Sequence, residues 1–264
     1  CLNCYAIEKA QRNKVCGSPQ YQDVVDKNGW TGKTVFWPKA FDSIPKRDPK
    51  KIFIGSMTDI FHESVPFEWI DEIMLKVAKY RQHTFQILTK RPERMKEYFD
   101  DRVILGYRNP EDKYFKNLWL GVTVCNQTEA DRKIPVLLQC PASVRFVSVE
   151  PMLGEIDLSK YLLRNRDGCP DLDPDWPDMF NKPRGPHKCT SYPNCPCGKA
   201  DQLLNWVICG GESGANARPL NPEWVVSLCD QCEAANVPFF FKQWGPKVAG
   251  NYLNGLKYEQ FPEV

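Results

Sequence analysis

The 264-residue chain lacks a charge excess: 35 basic against 33 acidic side chains leave a net +2 at neutral pH. So even a balance neither demands nor excludes a nucleic-acid partner. Also missing are a signal-peptide pattern and any apolar run near the roughly 18 residues of a membrane span. The expectation is a cytoplasmic protein with no membrane partner. No glycine fingerprint of the dinucleotide-binding kind is present, which argues against an open doubly wound sheet. The chain also lacks an initial Met, so residues upstream of Cys1 are expected to be missing.

A disulfide scaffold is excluded by length. Twelve cysteines are many, but a secreted scaffold would be short and loop-rich. In a reducing compartment they are either metal ligands or small hydrophobes. Cys125, Cys140 and Cys209 stand singly beside apolar runs and are expected to be buried. Cys229 and Cys232 lie three apart in a helix pattern, facing the core, and are read the same way.

What is present is an alternation of short apolar runs with amphipathic segments. Strands are predicted at TVFW (34–37), KIFIG (51–55), TFQILT (84–89), LWLGVTV (118–124), VRFVSV (144–149), NWVICG (205–210) and VPFFF (237–241). These runs are nearly continuous in hydrophobicity, as strands covered on both faces should be. Between them, Phe67, Ile70, Ile73, Met74 and Val77 recur at helical spacing after Pro66. A last helix is predicted from the Asn221 cap and Pro222, with Trp224, Val225, Leu228 and Cys232 inward. Strands alternating with helices give an α/β class with a parallel sheet, here a complete or partial (β/α) barrel. The helix expected across 38–50 is weak.

Polar residues collect just beyond the strands: Ser56, Thr58 and Asp59, then Thr89, Lys90 and Arg91, then Thr123 and Asn126. Glu150, then Glu212 and Ser213, then Lys242 and Gln243 follow the later ones. In a βα barrel these are the C-terminal strand ends, where active sites sit.

Residues 164–203 break the rhythm. The stretch is rich in Pro, Asp and Lys and has no periodic apolar face. It is read as a Cys/His-rich lobe inserted into a single barrel domain formed by 1–163 and 204–264. Cys169, His187, Cys189, Cys195 and Cys197 are candidates for a structural zinc, because close Cys/His pairs can share a tetrahedron. Cys189, Cys195 and Cys197 would be joined by Cys169 or His187. The alternative is a surface loop with incidental cysteines.

The chain opens on CLNCYA, a C-x2-C at Cys1 and Cys4, ambiguous between zinc, a redox dithiol and iron–sulfur. Together with IFIGSMTDIFHESVP (52–66), TFQILTKRPERM (84–95) and LWLGVTV (118–124), this motif resembles the spore photoproduct lyase-like branch of the radical S-adenosylmethionine superfamily. VRFVSVEPMLGEIDL (144–158), WVICGGESGANARP (206–219) and VPFFFKQWG (237–245) are more closely similar to the phage protein family known as gene products thirty-seven/sixty-eight. The closer resemblance covers nearly the whole chain apart from 164–203.

The resemblance implies a partial TIM barrel of the radical S-adenosylmethionine type. It implies a 4Fe-4S cluster held by Cys1, Cys4 and a third cysteine upstream, with S-adenosylmethionine and an electron donor as partners. Tyr5 would pack beside the adenine or the cluster. Ser56, Asp59, Thr89, Lys90, Thr123 and Glu150 would contact the methionyl and ribose ends. Glu212, Arg218 and Lys242 would face the substrate, and Arg218 could equally bridge to Glu212. GGES at 210–213 lies too late in the chain to bind the amino group. A nucleic acid base is the substrate class suggested by the phage likeness, and the basic run Lys90, Arg91, Arg94 and Lys96 is compatible with it. The rival reading is a non-enzymatic, zinc-stabilised nucleic-acid- or protein-binding module on a barrel scaffold.

Overall fold

Six of the seven apolar runs become strands, all parallel and all in one sheet. The computed structural model describes residues 5–102, 116–162, 204–214, 216–246, 248 and 250–263. In chain order its elements begin with helix α1 (Tyr5–Val15) and a small hairpin of β1 (Val25–Asp26) and β2 (Gly29–Trp30). Then come β3 (Lys51–Ile54), α2 (Phe67–Lys79), β4 (Thr84–Thr89), α3 (Pro92–Asp101), β5 (Leu118–Thr123) and α4 (Gln127–Leu137). The rest are β6 (Val144–Val149), α5 (Ser159–Leu162), β7 (Trp206–Gly210), α6 (Pro222–Ala234), β8 (Phe239–Gln243) and a hairpin of β9 (Tyr252–Leu253) and β10 (Leu256–Lys257).

The sheet order β3-β4-β5-β6-β7-β8 follows the sequence, and the sheet curls into a half-barrel flanked by helices. Each strand divides its side chains by parity. Phe85, Ile87, Leu118, Leu120, Val122, Val147, Val149, Val207, Phe239 and Phe241 face the helices in the main core. Trp119, Val144, Phe146 and Trp206 form a second, aromatic core on the concave face. Apolar residues on both faces account for the uninterrupted hydrophobicity of the strands.

Two helices follow their sequence signals closely. In α2, Ile70, Ile73, Met74 and Val77 are buried. In α6, Asn221 caps by accepting from the Glu223 N–H, Pro222 opens the first turn, and Val225, Leu228, Cys229 and Cys232 are buried. Trp224 is only partly covered.

The expected strand at 34–37 does not form. Phe36 stacks on Trp69 of α2 with ring centroids 5.4 Å apart, and Pro38 begins a 3-10 helix, Pro38–Ser43, in place of the weak α-helix. The β-propensity of an aromatic residue reflects the packing it finds, and here the partner is a helix.

After β8 the chain returns along it. The Phe241 N–H donates to the Tyr258 carbonyl (2.8 Å), and the Gln260 N–H donates to the Phe239 carbonyl (3.2 Å). Phe261 then lies against Trp206 and Phe240, at 5.0 and 5.4 Å between centroids. Beyond α5, Leu204 donates its N–H to the Tyr161 carbonyl (3.1 Å) and Asn205 to that of Arg145 (2.8 Å). Tyr161 and Leu204 are therefore neighbours, near the N-terminal ends of β6 and β7. No helix among the described residues is long and apolar enough to cross a membrane.

Candidate site at the C-terminal strand ends

The polar residues beyond the strands gather into three charged groups. The first is centred on Asp59. Gly55, at φ +77°, opens the tight turn after β3, which the Thr58 N–H closes onto the Gly55 carbonyl (3.0 Å). The Asp59 carboxylate then accepts from four donors: the Phe61 N–H (3.1 Å), the Thr89 hydroxyl (2.7 Å), the Lys90 N–H (3.0 Å) and Arg91 Nη1 (3.0 Å). Arg91 also donates through Nε to both Glu63 oxygens, at 3.0 and 2.9 Å. Thr89 in turn accepts from the Arg91 N–H (2.9 Å). This network clasps the ends of β3 and β4 together. Asp59 and Thr89, expected to touch a cofactor, make these contacts to the fold.

The second group joins β6 to β8 across β7. The Glu150 carboxylate accepts from the Ser148 hydroxyl (3.1 Å) and pairs with Lys242 at 3.2 Å. A Cβ at Gly210 would fall 2.7 Å from Glu150 Oε1, and one at Gly211 would fall 2.0 Å from the Trp244 carbonyl oxygen. The paired glycines of GGES thus serve close approach: one lets Glu150 lie over the strand, the other lets β7 meet the end of β8.

The third group is an ion pair. Arg218 donates through its backbone N–H and Nε to Glu212 Oε2, both at 3.0 Å, and through Nη2 to Oε1 at 2.8 Å. The Glu212 side chain is 8% exposed and that of Arg218 is 50% exposed. The hydrogen bonds Arg218 donates to the carboxylate raise its pKa further above its ordinary value. Arg218 is the bridge to Glu212 that the sequence allowed.

Between these groups lies Cys125, just past β5. It was expected to be buried and is half-buried. Burial lifts its thiol pKa and Glu129 adds to the rise, outweighing the nearby cations Lys133, Lys90 and Arg218. Below it, the Lys133 ammonium donates to the Thr123 carbonyl (2.8 Å) and to Glu129 (2.8 Å). Glu129 also accepts from the Cys125 N–H (3.2 Å). Thr123 itself is buried, and its carbonyl is the atom held. Ser56 is exposed at the rim.

Sequence reasoning placed Arg91 on this face but missed Glu63, Glu129 and Lys133 as parts of it. One signal was available: Asn126 and Glu129 have capping-box spacing, and Asn126 does accept from the Glu129 N–H (3.0 Å). The basic run does not form a free stripe. Arg91 is held by Asp59 and Glu63, Arg94 donates to the Val65 carbonyl (2.8 Å), and Lys96 pairs with Asp100.

Cys1 and Cys4 lie outside the described residues, as does the side chain of Tyr5, which heads α1. The zinc candidates Cys169, His187, Cys189, Cys195 and Cys197 also lie outside them. Among the described residues no group of three or more His, Cys, Asp or Glu side chains is arranged to hold a metal ion.

No curated protein and no solved structure matches the chain. The resemblances to the phage gene-product family and to the radical S-adenosylmethionine branch are corrected by the match that is found, which is to neither. That match is to a family described as a protein of unknown function, DUF5131, and it spans residues 1–262; the chain belongs to this family.

Proposed function

We propose that the protein is a radical S-adenosylmethionine iron–sulfur enzyme working at the C-terminal face of a partial (β/α) barrel. The observation that carries it is the attachment of the segment following Cys4. Helix α1 is fastened to the first hairpin by Lys14 Nζ on the Val25 carbonyl and Gln11 Nε2 on that of Asp26, both 2.7 Å. The same segment reaches the loop beyond β3 through the Tyr21 hydroxyl on Met57 Sδ (3.6 Å) and the Thr34 hydroxyl on the Ser64 carbonyl (3.1 Å). The C-x2-C that leads into this segment would supply its thiolates at the charged strand ends.

The residues present suit the cofactors. Cys1 and Cys4 would supply two cluster thiolates. Partly exposed Leu88 and Ile208 lie on the concave face below Glu150, Lys242, Glu212 and Arg218. An apolar floor under a rim of both signs fits a molecule with a heterocycle and a zwitterionic end. When bound, cluster and S-adenosylmethionine supply radical hydrogen-atom abstraction, and the protein's share is to orient them and keep water out. Glu150 would accept from an ammonium group, Lys242 and Arg218 would hold carboxylate or phosphate oxygens, and Asp59 with Arg91 would keep the rim in place. Arg91, Arg94 and Lys96 of the basic run are engaged within the fold, and the proposed chemistry names no nucleic acid base.

The test is anaerobic purification of the protein from its full reading frame. Under this reading it is brown, carries about four irons per chain and releases 5′-deoxyadenosine from S-adenosylmethionine under reduction. A colourless protein holding only zinc would overturn it in favour of a binding module.

A further inference from the structure

The opposite end of the concave face carries a second set of polar groups. Gln86 on β4 and Trp119 on β5 are register partners. Their chain neighbours Phe85, Ile87, Leu118 and Leu120 pack toward the helices, so both side chains point to the concave side. Gln86 is 8% exposed and Trp119 1%. Neither Gln86 Nε2 nor Trp119 Nε1 has a hydrogen-bond partner among the described residues. Buried donors are almost always paired, because an unmet N–H loses its hydration and gains nothing in return.

Lys51 stands one step below on β3. Its ammonium lies 3.9 Å from the ring centroid of Phe261 and 5.7 Å from that of Trp119, and among the described residues no carboxylate pairs with it. Phe53, the register partner of Gln86, is 42% exposed. Two N–H donors and one ammonium therefore sit among aromatic rings at the N-terminal strand ends.

We infer that this end of the half-barrel binds a small aromatic monocarboxylate. A carboxylate offers two acceptor oxygens for the two N–H donors, and its single charge matches the single ammonium. A phosphate dianion would bring an uncompensated charge among aromatic rings, which is costly. The rings of Phe53, Trp119 and Phe261 supply the surface for an apolar tail. Phe261, 39% exposed, lies over the Lys51 ammonium and would have to shift for a ligand to reach it. The site lies away from the charged strand ends and does not rest on the iron–sulfur reading.

The experiment uses benzoate as the probe and follows the indole N–H resonance of Trp119 in nitrogen-15-labelled protein, assigned with Trp119→Phe. Benzoate should move that resonance downfield and saturably. Benzamide, the same shape without charge, should bind about tenfold more weakly or less, as should benzoate to Lys51→Met, because charge-assisted hydrogen bonds are the stronger kind. Lys51→Arg should retain binding. Gln86→Leu should weaken it while leaving the indole signal readable, and melting curves identify any variant that fails to fold. A resonance already at its hydrogen-bonded position and unmoved by benzoate would mean that a trapped water serves both donors, and would overturn the site. So would a shift that benzamide or Lys51→Met reproduces in full.

Discussion

Lys133 is a cation almost out of solvent, its side chain 5% exposed, shared between the Thr123 carbonyl and Glu129. Lys133→Met should cost about 2–3 kcal/mol in urea unfolding, because it takes the ammonium donor from a buried carbonyl and the paired cation from Glu129. The pH dependence has a definite sign. Burial is the largest single influence and works against the Glu129 carboxylate. The hydrogen bond and charge of Lys133, the Cys125 N–H and the charge of Arg132 together outweigh it and leave the pKa below 4.5. A depressed carboxylate contributes stability that is full above its unfolded pKa and is lost as pH falls through the folded one. The gap between the native protein and Lys133→Met should therefore be wider at about pH 7 than at about pH 3. Gly121 makes a steric prediction: a Cβ there would fall 2.3 Å from the Phe146 ring. Gly121→Ala should destabilise by about 1–3 kcal/mol, read as a lower melting temperature, since neither wall of a packed sheet face yields easily. Neither residue declared this role in the sequence. Nothing in the sequence separates Lys133 from a surface lysine, and Gly121 interrupts an apolar run whose neighbour on β6 only the sheet register supplies.

At the scale of elements, the sequence was most legible where one period dominated. Helices α2 and α6 follow from apolar spacing plus a proline at or just before the first turn, and α6 adds its Asn221 cap. The run at 34–37 misled because it has strand composition but packs Phe36 on Trp69. Burial of Cys229 and Cys232 on α6 was visible in their three-residue spacing, and it has a chemical consequence. Burial lifts the pKa of Cys229 to about 11 and that of Cys140 to about 12, and raises Cys209 and Cys232 strongly as well. The thiolate is the reactive form. Brief iodoacetamide treatment of the native protein near neutral pH should therefore label exposed Cys16 and leave these four unmodified in peptide mass spectra. Labelling of Cys209 as fast as Cys16 would show that β7 and α6 do not pack as described.

Across the whole molecule the half-barrel is polarised: charged groups close the C-terminal strand ends, while an aromatic core fills the concave face toward the other end. The polar strand ends were visible in the sequence as a recurrence, but their pairings were not. Glu150 and Lys242 are 92 residues apart, and Asp59 meets Arg91 only because β3 and β4 are neighbours. What a strand end does thus depends on a partner that only the assembled sheet supplies. The proposed chemistry can be separated from this scaffold by two cysteines. Cys4→Ala, in protein made from the full reading frame, should lose its iron and its 5′-deoxyadenosine release while melting where the native protein does. The sheet is held by the buried Val, Ile and Phe of its strands, and apolar burial of that kind is the larger stabilising term. Cys209→Ala should behave oppositely. Its side chain is fully buried against the main core, so its removal should cost about 1 kcal/mol of stability and leave iron and turnover unchanged. Iron content, 5′-deoxyadenosine release and melting temperature, measured on both variants, decide the matter. If Cys4→Ala kept its iron and its activity, the opening CLNC would bind no cluster, and the radical assignment would fall while the half-barrel stood.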